Sequence, residues 1–378
     1  MPSSISSSNA VQVPTGLRLT ASDRPGVAQP VPERDVPERP WSGIAFGALA
    51  LALCLLGLWE WHWRAFGVQP GYRNSDGAWA EQRRRINSGE GNALVLIGSS
   101  RVLFDVQLPV WSSTQGEQPI QLALEGTSAV PILEDLAADP DFRGRLLIGV
   151  TPGLFFTGFA ARQDAIAHHH KQGPSQRSGH WLSKNLLEPW LAFYDPDFAL
   201  AAVVKRWPWP ARQGVQVRGE VRKLSVQGAA RNTRMWDKVV NDPAYREIIR
   251  NGWRQRLMRA PPTMDTPEKA ALVIKAQIQR AVLAVARLRA RGVAMVFLRA
   301  PSIDELHAAE EAGLPRSKTW DELLKRSGVP GIHFADYPAL QGFDQPEWSH
   351  LSGPAADEFT ARLAPLVNEA LAAQKASE

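Results

Sequence analysis

Nineteen consecutive residues, Trp41 to Trp59, carry no charge, and beyond them short apolar runs alternate with helix-patterned stretches. About 20 apolar residues at ~1.5 Å each span a bilayer core of about 30 Å. The spacing therefore predicts a transmembrane helix over 41–63, with Trp41, Trp59, Trp61 and Trp63 as interfacial anchors. Apolar runs of strand length recur at Ala93–Ile97, Ile120–Leu124, Leu146–Val150, Val293–Leu298 and Ile332–Phe334. Helical patterns at Ala129–Ala138 and Pro267–Arg291 lie between them; the second has Asp265 or Thr266 as N-cap and Gly292 as its stop. Continuous apolar strands alternating with helices predict an α/β fold, a three-layer α/β/α sandwich around a five-stranded parallel sheet. Ligands bind such sheets outside the carboxyl ends of the strands, so Gly98, Gly126, Thr151 and Arg299 are expected on one rim.

The remaining segments divide by composition. Residues 1–40 are rich in Ser, Pro and Val without periodicity and read as a disordered tail; 64–90 read as a connecting segment. Residues 91–378 form the α/β domain, interrupted by an insertion over 155–265 that is too long for a plain loop and is expected to be a mostly helical cap. Trp181, Trp190, Trp207, Trp209, Trp236 and Trp253 fall in it. From Lys205 to Arg259 there are 14 Lys or Arg against 4 Asp or Glu, which suits anionic headgroups or an acidic polymer, or else a solvated basic surface. Beside a membrane span, nucleic acid is not the expected partner. The single cysteine, Cys54, excludes an intramolecular disulfide. His168, His169 and His170 are adjacent and have no accompanying acid or thiol pattern, so no metal is expected, and no phosphate- or dinucleotide-binding glycine loop points to a cofactor.

Two short segments carry candidate chemistry. Gly98-Ser99-Ser100-Arg101 ends the first strand, and Glu347-Trp348-Ser349-His350-Leu351-Ser352 lies near the C-terminus. A serine hydroxyl needs a base within hydrogen-bond reach, and the base needs an acceptor on its other ring nitrogen. Ser100 is the expected nucleophile, with Ser99 second, and a helix N-terminus after the turn favours developing negative charge. His350 is the expected base. Glu347, three residues earlier, can orient it, with Asp344 as the alternative acid.

The GSSR turn and the E-x-x-H-L-S block resemble the SGNH/GDSL hydrolase superfamily, most closely its membrane-anchored bacterial members linked to O-acylation of cell-surface polymers. The resemblance covers residues 90–155 and 290–370. It implies a flavodoxin-like sheet and a Ser100 acyl-enzyme with no cofactor. An oxyanion hole would be built from the Ser100 N–H, Gly126 and the residue at Thr151. The family has Asn at that last place and more often Asp than Glu before the histidine, so Thr151 either substitutes through its hydroxyl or leaves a donor missing. Arg101, Arg299 and Arg316 are candidate substrate-binding residues on the same rim. The implied function is a periplasmic serine esterase or O-acyltransferase, single-pass in the bacterial inner membrane, acting on a glycan or acyl ester beside a multispanning acyl-donor protein. Arginines flank both ends of the span, so the orientation comes from the resemblance and not from charge. The alternative is a catalytically weak binding or scaffold subunit that keeps the fold.

Overall fold

A computed structural model describes residues 38–207, 222–257 and 262–376, together with a short antiparallel pairing of Leu17–Arg18 with Val31–Pro32. The tail expected over 1–40 lies otherwise outside the described residues, as does Trp209. The chain divides into two compact units, 1–58 and 59–378. Helix α1, Trp41–Ala65, crosses that boundary. It is long and apolar enough to span a membrane, and none of its apolar stretch is buried by protein. Leu49, Leu51, Leu53, Leu55 and Leu58 are each more than half exposed, which in water would be a poor arrangement for a packed helix. Near its end Trp63 is buried, in the core of the second unit.

The expected strands form one five-stranded parallel sheet: β1 Leu94–Ile97, β2 Ile120–Gln121, β3 Arg145–Gly149, β4 Ala294–Arg299 and β5 Gly331–His333. Their order is β2-β1-β3-β4-β5, parallel throughout. Strand residues alternate between two separate apolar cores. Leu94, Leu96, Leu147, Val296 and Leu298 join one, while Val95, Ile97, Ile148, Met295 and Phe297 join the other. Burial on both faces explains why the runs are continuously apolar instead of alternating.

The helices fall where caps and patterning place them. Ser75 accepts the Ala78 N–H and opens α2, Asp76–Arg85, inside the expected connecting segment. The hydroxyl of Thr266 accepts the Lys269 N–H and starts the long helix Pro267–Arg289. Helix α3, Ser100–Asp105, follows β1 with Ser99 as N-cap. Its close approach to the sheet depends on two glycines. A Cβ on Gly98 would lie 2.7 Å from Val102 Cγ2, and one on Gly149 2.1 Å from the same methyl.

The insertion is mostly helical but also contains an antiparallel hairpin, Ser225–Gln227 with Thr233–Met235. The β-branched and polar residues of those three-residue strands gave no periodic signal. Nor is the whole insertion a separate lid. Met235, Trp236, Val239, Tyr245 and Ile249 belong to the same core as β1 and α3.

Candidate active site

Several backbone bonds gather the strand ends into one rim. Leu124 N–H donates to Gly98 O at 2.9 Å, and Val150 N–H donates to Leu298 O at 2.8 Å. Ser100 thus begins a helix at the carboxyl end of β1, half-buried, where helical N–H groups are directed at its surroundings. Ser99 has a different situation. It is buried, its Oγ accepts the Arg101 N–H at 3.4 Å, and it lies 2.5 Å from Thr151 Oγ1. The hydroxyl of Ser100 has no hydrogen-bond partner among the described residues, so of the two serines it is the one left available.

The C-terminal block assembles tightly. His350 Nδ1 is 2.7 Å from Glu347 Oε1, and the same carboxylate oxygen accepts the His350 backbone N–H at 2.7 Å. Both side chains are almost wholly buried. The second oxygen of Glu347 accepts the indole N–H of Trp253. Trp348 between them has φ +72°, a left-handed conformation costly for a bulky residue. It is held from the insertion helix Pro243–Leu257: the Arg250 guanidinium donates to Pro346 O, and Arg250 and Arg254 lie 5.0 and 4.8 Å over its ring. Asp344, the alternative acid, is exposed and does not contact the imidazole nitrogen that Glu347 occupies.

The two segments meet through α3. The His350 ring stacks on Phe104 with centroids 4.4 Å apart. Phe104 is four residues after Ser100, and residues so spaced share a helix face. Ser100 therefore sits one turn along the face that carries the imidazole. His350 Nε2, the nitrogen facing away from Glu347, is buried and has no hydrogen-bond partner among the described residues. A buried polar atom left open in this way is costly unless something else fills the valence.

Asp105, missed in the sequence, closes the other side. Its Oδ1 accepts the Leu351 N–H at 3.0 Å, and Oδ2 is buried without a partner among the described residues. Burial pushes its carboxyl up to about 7, against the opposing pull of His350, the Leu351 N–H and Arg101. Only its spacing from Ser100 on a short helix could have signalled it. Trp253 had no usable signal, because its partner is remote in sequence.

The arginines proposed for substrate are engaged elsewhere. Arg101 and Arg299 converge on Glu310: Arg101 Nη2 lies 2.6 Å from Oε1, and Arg299 Nη2 lies 2.6 Å from Oε2. Arg101 Nε also reaches Ser349 Oγ at 3.4 Å. For Glu310 burial pushes the carboxyl up, but the two guanidiniums overcome this and hold it down at about 2. Burial lowers Arg299 to about 10, still charged at neutral pH. Arg316 lies on the surface, paired with Asp336 at 2.7 Å and Asp321 at 3.2 Å. Of the oxyanion candidates, Gly126 has φ +59° and its carbonyl accepts the Ala161 N–H at 3.2 Å, while the Thr151 hydroxyl is committed to Ser99. Among the described residues no group of three or more His, Cys, Asp or Glu is arranged to hold a metal. His170 instead pairs with Asp135 at 2.6 Å.

Compared with protein-family models, with curated proteins and with solved structures, the chain matches none.

Proposed function

We propose that this chain is a membrane-anchored serine esterase or O-acyltransferase with an SGNH-like, flavodoxin-like sandwich fold. Its strand order, read 2-1-3-4-5 in chain order, agrees with that arrangement. The observation that carries the reading is the Glu347–His350 pair, whose ring stacks on Phe104, four residues after Ser100, and whose Nε2 has no partner among the described residues. In the proposed reaction Ser100 Oγ attacks an ester carbonyl while His350 Nε2 takes the hydroxyl proton. The tetrahedral intermediate expels the alcohol, which receives that proton, and leaves an acyl-enzyme. Water then gives an esterase, and a glycan hydroxyl gives a transferase. Glu347 holds the imidazole in the tautomer with Nδ1 protonated and stabilises the imidazolium. The Ser100 and Gly126 N–H groups are the donors assigned to the oxyanion. Helix α1 would anchor the domain, on the periplasmic side of a bacterial inner membrane, beside a multispanning acyl donor.

A fluorophosphonate probe tests the chemistry without knowledge of the substrate. The expected product is one covalent adduct at Ser100, lost in Ser100→Ala and in His350→Ala. An adduct at Ser99 would move the nucleophile, and no adduct on the folded chain would overturn the reading. One observation favours the alternative of a non-catalytic scaffold subunit: the Thr151 hydroxyl, standing where an Asn donor was sought, is tied to Ser99.

A further inference from the structure

A second surface, built from residues outside the serine turn, combines three features that point to one partner. The first is apolar. Helix α4, Pro174–Leu182, runs on into a wider turn at Ser183–Leu187, and this stretch leaves large side chains in solvent. Trp181 is 59% exposed, Leu182 48%, Leu186 57% and Trp190 67%. Four such residues within ten positions are far from the scattered exposure normal on a soluble surface.

The second feature is position. Glu60 is the first charged residue after the apolar run of α1. Its carboxylate accepts the backbone N–H groups of Ala192 at 2.9 Å and Phe193 at 3.0 Å. Arg64, one turn on, donates to Trp190 O at 2.9 Å. The backbone of 190–193 is thereby fixed to the turn of α1 that directly follows its apolar run.

The third is charge. A cavity of about 650 Å³ opens beside Trp181 and Leu182, lined also by Arg84, Arg177 and Lys184. Lys184 and His180 are matched by Glu81. Arg177 has no ion pair among the described residues, and the Arg84 side chain reaches only the neutral amide of Gln172. Burial and the nearby Arg177 push the Arg84 guanidinium below its ordinary range, against the opposing pull of Glu81, which lines the same cavity. The wall thus carries three cations, Arg84, Arg177 and Lys184, against the single carboxylate of Glu81, and neither arginine is hydrogen-bonded to that carboxylate.

We propose that this face is a membrane-docking surface: Trp181, Leu182, Leu186 and Trp190 enter the interfacial layer of an anionic phospholipid bilayer, and a headgroup phosphate occupies the Arg84–Arg177 cavity. Tryptophans favour that layer because the ring is apolar and its N–H is wet, and basic groups are drawn to anionic lipid. The docked domain would then be held against the bilayer at two places, the end of α1 and the α4 face. The inference rests on the proposed anchoring by α1, and the test separates the two.

The full chain is reconstituted in nanodiscs of phosphatidylcholine with phosphatidylglycerol, some lipids carrying a shallow or deep nitroxide quencher. Cys54, the sole cysteine, is labelled with an environment-sensitive fluorophore to report the span. In a Cys54→Ser background, Leu186→Cys and Trp190→Cys report the face, and Ser113→Cys, on an exposed site, is the control. The expected result is deep quenching at 54 and shallow quenching at 186 and 190 at least threefold above that at 113. In discs of phosphatidylcholine alone, or with Arg84→Gln and Arg177→Gln together, the shallow quenching should fall at least twofold. Quenching at 54 with none above control at 186 and 190 overturns the docking face and leaves the anchor standing. No quenching at 54 overturns the anchor and the placement of the face with it. Shallow quenching indifferent to lipid charge and to both arginines overturns the headgroup assignment. A fluorophore shift that tracks protein concentration and not quencher means a second copy covers the face, and overturns the proposal.

Discussion

Two buried charge clusters hang from α3, one residue apart in origin, and they are built to opposite ends. Arg101 leads into the Arg101–Glu310–Arg299 cluster, where both carboxylate oxygens and both guanidiniums have partners. Ser100, one residue earlier, shares a helix face with Phe104, on which His350 of the Glu347–His350–Asp105 cluster stacks, and there His350 Nε2 and Asp105 Oδ2 are buried and open. Burial alone therefore does not mark a reactive site. A saturated cluster has no valence left for a substrate and acts as architecture, joining α3 to β4 and to the helix Asp304–Gly313. An unsaturated one is destabilising in the resting protein and is available for chemistry.

The sharpest way to break this contrast is to remove groups from the open cluster. His350→Ala should slow fluorophosphonate labelling of Ser100 by about 10⁴-fold or more with little change in Tm, and Glu347→Gln should approach that loss, since a wrong tautomer costs up to ~10⁴-fold in serine triads. Asp344→Asn should change labelling less than about twofold. Should Glu347→Gln label at the normal rate, the open cluster would lose its claim to reactivity. The saturated cluster predicts the reverse pattern. Glu310→Ala leaves two buried guanidiniums unpaired and should cost about 3–5 kcal/mol in denaturant unfolding. Glu310→Gln, which keeps one acceptor oxygen and turns the other into a donor, should lose less than the alanine variant, and labelling of the folded fraction should persist in both.

Asp105 gives a smaller, pH-dependent effect. Its folded carboxyl, pushed up to about 7, binds a proton more tightly than in the unfolded chain. Between about pH 4 and 7 the folded state therefore holds the extra proton, and stability declines as pH rises through that window by at most about 1.4 kcal/mol per unit. Urea titrations of wild type and Asp105→Asn across that range should show a shallower decline in the variant; parallel curves would mean Asp105 is ionised throughout. Trp253→Phe should have a smaller effect, about 1–3 kcal/mol lost from one hydrogen bond to a buried carboxylate, with labelling slowed modestly because Glu347 keeps its contact with His350.

Much of this arrangement was legible in the sequence where the signal was local. Five apolar runs gave the five strands within a residue or two at most ends, because a sheet covered on both faces leaves an unbroken apolar record. Asp265 or Thr266 and Gly292 mark the ends of the long helix, since a cap is read from adjacent residues; Thr266 is the cap, and the helix closes at Arg289, two residues before the expected Arg291. The three-residue spacing points to Glu347 over Asp344, and the Glu347 carboxylate lies 2.7 Å from His350 Nδ1. The partners that decide what each charge does were not legible. Arg101 and Arg299 looked like rim residues, because nothing near either one announces Glu310. The insertion's tryptophans looked alike in composition, yet Trp236 is buried in the core, Trp253 holds Glu347, and Trp181 and Trp190 are exposed. Those differences come from tertiary packing, which no local pattern encodes.

The separation of the two halves of the site also bears on how the protein comes into being. Arg101 and Ser349, which touch, are 248 residues apart in the chain. A parallel sheet cannot join such distant segments early, because the loop-closure entropy must be overcome before their contacts form. On the proposed chemistry, Ser100 would then gain its base only in the last cooperative step of folding. Emerging or half-folded chains would be chemically silent towards acyl esters, and in a refolding time course the appearance of probe-reactive serine should coincide with the slowest phase.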